Sequence, residues 1–95
     1  MGGSKLDWER LKVFQTVADT GSINAAAKAL CRSYTKVTND LDELELALGH
    51  QLFERSRRGL ELTAVGEDIL RSARNMADSV QSIIERANES APDHL

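Results

Sequence analysis

A lone cysteine, a lone proline, no long apolar run and no basic surplus bound what this 95-residue chain can be. With Cys31 the only thiol, an intrachain disulfide is excluded, and a thiolate metal site would need ligands that the sequence does not offer. The expected role of Cys31 is that of a small packing residue. No apolar stretch approaches the roughly 18–20 residues that a membrane span needs. The start, MGGSKLDWER, also lacks the hydrophobic segment of a secretory signal. The expectation is a soluble, cytoplasmic protein with no membrane partner. A chain of this size buries one modest core and no more. His50 and His94 stand in no nucleophile–base pair or metal cluster, so neither an enzyme, a cofactor nor a metal is expected.

The net charge of −3 lacks the basic footprint usual for nucleic-acid binding, but its distribution matters more. Residues 1–62 hold nine Lys or Arg against nine Asp or Glu, whereas residues 63–95 hold three against six. The acid surplus belongs to the second segment.

Within that frame the sequence is rich in helix signals. Asp7 precedes a run in which Leu11, Phe14, Val17 and Ala18 recur at helical spacing until Thr20-Gly21, predicting a helix over about 8–19. Ser22 caps a second, with Ile23, Ala26, Ala27 and Leu30 as its buried stripe. Ser33 caps a third, in which Val37, Leu41, Leu44 and Leu48 face the core up to Gly49. The short Cys31-Arg32 link forces the sharp crossing of a helix-turn-helix. Beyond it, Leu52-Phe53 and Leu60…Leu62 flank a charged, glycine-bearing loop and predict a small β-hairpin, a wing at 54–59. Thr63 caps a long helix reaching about Glu89, with Pro92 stopping it before a frayed end. In that helix Ile69, Ala73, Met76, Val80, Ile83 and Ala87 form a heptad seam, predicted to pair with a second chain. The fold class expected is mainly α: a winged helix-turn-helix of three helices plus a hairpin over 1–62, then a dimerisation helix over 63–95.

In a helix-turn-helix the outward face and first residues of the second helix meet base edges. At about 100° per residue, Thr35, Asn39 and Asp42 point away from the core stripe, with Thr38 beside them. Tyr34, Thr35, Thr38 and Asn39 are therefore the expected base readers. Asn39 suits adenine, the threonines suit bases or a thymine methyl, and Tyr34 can also stack or reach a phosphate. Phosphate contacts are expected from Arg55, Arg57 and Arg58 on the wing and from Arg32 and Lys36 near the turn, together with Ser22, Ser33 and Thr63 at the helix starts. The acids of the third helix oppose this reading. Asp40 is expected beside the core stripe, within reach of Lys36, and Glu45 is also turned from the groove; Asp42 and Glu43 are left to face a phosphate backbone. The competing reading is a winged-helix interaction module that has lost DNA binding.

GSxxxAAxxL, LExxLGxxLFER and LTxxG follow one another here as Gly21-Ser22…Leu30, Leu44-Glu45…Leu48-Gly49…Leu52-Phe53-Glu54-Arg55 and Leu62-Thr63…Gly66. In this order and spacing the chain resembles the winged helix-turn-helix and linker helix of LysR-type transcriptional regulators from Leu6 to about Ala87. The resemblance implies a homodimer through antiparallel linker helices, inverted-repeat DNA operators, and an effector-binding domain in full-length members. That domain is absent from these residues, so a small-molecule effector is expected only in a full-length protein. The chain is expected to be an excised segment, its leading MGGS a cloning remnant. Where members often read Ser-Gln-Pro-Ala-Leu-Ser-Arg-Gln-Ile, it has Ser33-Tyr34-Thr35-Lys36-Val37-Thr38-Asn39-Asp40-Leu41. The family's contact roles fall on Tyr34, Thr35, Thr38 and Asn39 without an identical match, so the operator sequence does not carry over.

Overall fold

The computed structural model describes residues 8–90. The readings of Asp7 as a cap, Pro92 as a stop and His94 as surface lie outside them. Four helices and one hairpin follow in the order α1 (Trp8–Thr20), α2 (Ile23–Leu30), α3 (Tyr34–Leu48), β1 (Phe53–Ser56), β2 (Gly59–Leu62) and α4 (Ala64–Ser90). The element types and order are those predicted from the sequence.

The starts of α2, α3 and α4 are each set by a hydroxyl. Ser22 Oγ accepts from Ala25 N, Ser33 Oγ from Lys36 N and Thr63 Oγ1 from Gly66 N, giving otherwise orphaned first-turn amides a partner. The core is built from Leu11, Val13, Phe14 and Val17 of α1, the Ile23/Ala26/Ala27 stripe of α2, Val37, Leu41 and Leu44 of α3, and Leu52. Phe14 and Phe53 meet with ring centroids 5.3 Å apart, tying the hairpin to α1.

Two expectations are corrected here. Cys31 is exposed rather than packed, and it adopts φ 56°, the one left-handed non-glycine among the described residues. The α2–α3 link is too short for anything else. Cys31 N and Arg32 N turn back onto Lys28 O and Ala27 O, and the reversal that closes these bonds needs a left-handed residue at position 31. Ala73, assigned to the intermolecular seam, is 1% exposed and lies with Leu70 in the chain's own core, because the first turns of α4 lie against α1. The exposed apolar stripe of α4 begins at Met76 and continues through Val80, Ile83 and Ile84, the last of which the heptad reading passed over.

Candidate nucleic-acid interface

The surface of α3 divides into three strips, and each of its acids has a different fate. On the strip turned toward α1, Asp40 is buried and gathers cations. Lys36 Nζ lies 3.1 Å from one carboxylate oxygen and Arg32 Nη1 3.4 Å from the other, with Arg10 Nε at 4.0 Å. Arg32 also binds Glu9, and Arg10 binds Glu43. On the opposite strip Glu45 accepts from Leu52 N at 2.7 Å and Phe53 N at 3.3 Å, holding the start of the wing against α3. Only Asp42 stays on the outward strip, exposed together with Thr35, Asn39 and Leu46. The pairing of Asp40 with Lys36 and the turning away of Glu45 are as expected, whereas Glu43 is drawn into the α1 network rather than left facing outward.

The wing is a tight antiparallel hairpin in the register Phe53↔Leu62, Glu54↔Glu61, Arg55↔Leu60 and Ser56↔Gly59. Arg57 and Arg58 form the turn, and Gly59 takes φ +108° so that no side chain carries the strained step. Side chains alternate across a strand, so Arg55 shares a face with Phe53, Leu60 and Leu62 while Glu54 and Glu61 pair on the other, Glu54 still bordering the groove beside α3. The three wing arginines therefore separate into two kinds. Arg57 and Arg58 project at the tip. Arg55 stands between two grooves, one of about 480 Å3 shared with Thr38, Asp42 and Glu45, the other of about 280 Å3 shared with Ser22, Asn24 and Tyr34. None of the three makes an ion pair among the described residues.

Of the expected base readers, Tyr34, Thr35 and Asn39 are exposed; Thr38 is half-buried, and its hydroxyl donates to Thr35 O at 2.9 Å, so its oxygen can still accept but its proton is taken. The phosphate set is less uniform. Ser22 and Ser33 accept at their caps and keep a hydroxyl proton to donate, but Thr63 donates its own to Gln51 O at 2.7 Å, so it has no donor left for an anion. Arg32 and Lys36 are turned into the Asp40 network. Asn24 was missed by the sequence reading; it faces away from the α2 stripe, which a helical wheel would have signalled.

Residues 8–67 match the description "Bacterial regulatory helix-turn-helix protein, lysR family". The chain is 40% identical over 83 residues to the HTH-type transcriptional regulator YofA of Bacillus velezensis, covering 87% of this chain and 27% of that one. It is 42% identical over 73 residues to the regulator TcbR of a Pseudomonas species, covering 77% and 25%. It thus spans about a quarter of the length of these relatives. The crystal structure of a CbnR DBD–DNA complex superposes with a TM-score of 0.82 at 38% identity, over 92% of this chain and 100% of that one. A BenM DBD complex with catB site 1 DNA gives 0.87 at 26% identity, over 95% and 100%. With the motif order, the hairpin against α3 and these likenesses agreeing, the chain belongs to the lysR family of bacterial regulatory helix-turn-helix proteins.

Proposed function

We propose that this chain binds double-stranded DNA sequence-specifically as the DNA-binding segment of a transcriptional regulator, with α3 in the major groove and the wing on the phosphate backbone. One observation carries the reading: Arg55, which makes no ion pair among the described residues, lines one groove with Thr38 of α3 and a second with Tyr34 and Ser22, so base-reading and phosphate-binding groups converge on it. The DNA in the CbnR and BenM complexes supports it. Thr35, Thr38 and Asn39 read bases, Tyr34 reads or stacks at the edge, and Arg55, Arg57 and Arg58 with the hydroxyls of Ser22 and Ser33 take phosphates. The segment acts as a homodimer through the exposed stripe of α4 on an inverted-repeat operator. It performs no catalysis and works in the cytoplasm; no helix among the described residues is long and apolar enough to cross a membrane. Any small-molecule effector acts on parts of a full-length protein beyond these residues.

Selection from a randomised duplex pool should return an inverted repeat. Replacing Arg58 by Gln should weaken all duplexes alike and flatten the plot of log affinity against log salt by about 0.9 for each phosphate no longer neutralised. Absence of duplex binding even at low salt would leave the interaction-module reading in its place.

A further inference from the structure

We propose that Asp40 withholds Lys36 and Arg32 from DNA phosphate, making it a positioning residue that suppresses sequence-independent binding and so widens discrimination. The inference rests on the DNA-binding reading above.

Lys36 sits in the first turn of α3, beside Tyr34 and Thr35, and Arg32 in the turn before it, where two cations would naturally grip the backbone. Both are instead turned onto the Asp40 carboxylate, whose side chain is only 8% exposed. Among the described residues, Arg10, Arg32 and Lys36 are engaged by three carboxylates, those of Glu9, Asp40 and Glu43, so the cations of this flank are met by acid. The competition for Lys36 is unequal. Taking it away removes the shortest ion pair of a carboxylate largely out of water and leaves Arg32 at 3.4 Å and Arg10 at 4.0 Å to compensate it, whereas a phosphate contact at the exposed edge is screened by solvent and salt. Arg32 is pinned more firmly, bound at once by Glu9 from α1 and Asp40 from α3. The wing arginines, which have no such partner among the described residues, then carry the phosphate attraction at one side of α3 only. Binding without the matching bases is correspondingly weak.

The test measures affinity of the 95-residue chain for a random-sequence duplex and for its selected operator across a salt series. Lys36→Gln changes an exposed side chain, and the proposal expects the salt slope to stay as it is; flattening by about 0.9 would mean that Lys36 already contacts phosphate and would overturn it. Asp40→Asn keeps the shape and removes the charge. It should tighten random-duplex binding, steepen the slope by about one to two units and narrow the ratio of specific to random affinity. Adding Lys36→Gln to that variant should take back about one unit. A folded Asp40→Asn protein with an unchanged slope would reduce Asp40 to a fold-holding residue. Should that variant fail to fold by circular dichroism, the Lys36→Gln slope decides alone. If the unmodified chain bound no duplex at low salt, the DNA reading itself would fall, an outcome distinct from all of these.

Discussion

Four acids lie on α3, the helix proposed to meet an anionic partner, and their side chains resolve the conflict one at a time. Asp40 is neutralised by Lys36 one turn earlier with Arg32 of the turn and Arg10 of α1, Glu43 pairs with Arg10, and Glu45 accepts two backbone amides. Asp42 alone remains outward, in the groove beside Arg55, and it pairs with no cation among the described residues. Its effect on a polyanion is repulsion across water. Asp42→Asn should therefore tighten specific and random duplexes together, on the order of two- to five-fold at low salt, as expected for one exposed charge, and less as salt rises. Fluorescence anisotropy titrations on both duplexes check this. Weaker binding to the operator alone would show instead that Asp42 accepts from a cytosine amino group.

At the level of elements, the wing and α4 are positioned by one shared junction. Thr63 N bonds to Leu52 O and its hydroxyl to Gln51 O, while Gly66 lies so close to the Leu52 carbonyl that a Cβ there would run into that oxygen and into Leu62 Cδ2. The glycine of LTxxG is thus a matter of space: backbone blocks one side and cannot yield as a flexible side chain would. Gly66→Ala should destabilise the protein by about 1–3 kcal/mol through overpacking, read as a lower urea midpoint, despite the better helix propensity of alanine. The same junction explains why the sequence resolved the wing as a hairpin but treated its arginines alike. Spacing alone does not say which arginine shares a face with Phe53, and only the register sets Arg55 against α3 while leaving Arg57 and Arg58 at the tip.

As a whole the molecule is elongated, 56 × 32 × 24 Å, with a radius of gyration of 15.8 Å against about 12 Å for a compact chain of this length. The excess is α4, whose 27 residues extend about 40 Å while only its first turns lie against the core. Beyond Ala73 it carries Met76, Val80, Ile83 and Ile84 to solvent, Ile83 at 66% exposure, and a stripe of that kind calls for a second copy. Replacing Val80 and Ile83 by Asp should give monomers in sedimentation velocity while leaving the unfolding midpoint of the winged unit close to its original value, since neither residue touches the core. Operator affinity should fall by about 10²-fold or more as the two half-sites lose their linkage. A variant that stayed dimeric would put the interface on another surface.

Period and punctuation in the sequence determined the element order, the capping hydroxyls, the core stripes and the family, because these depend on neighbours within one or two turns. What only the tertiary structure decided were relations between distant segments. Arg32, read as a phosphate ligand from its place by the turn, is claimed by Glu9 and Asp40 because α1 packs across the start of α3. Thr63 loses its donor to Gln51 across the closed hairpin, and Ala73 passes from the seam to the core because α4 lies on α1. Cys31 is exposed for a local reason that the pattern did not reveal: a two-helix corner this short takes a left-handed residue, and composition does not say which one will bear it. Charge is the quantity least legible along the chain, since its effect falls off through space and a carboxylate's partners are chosen by packing rather than by sequence distance.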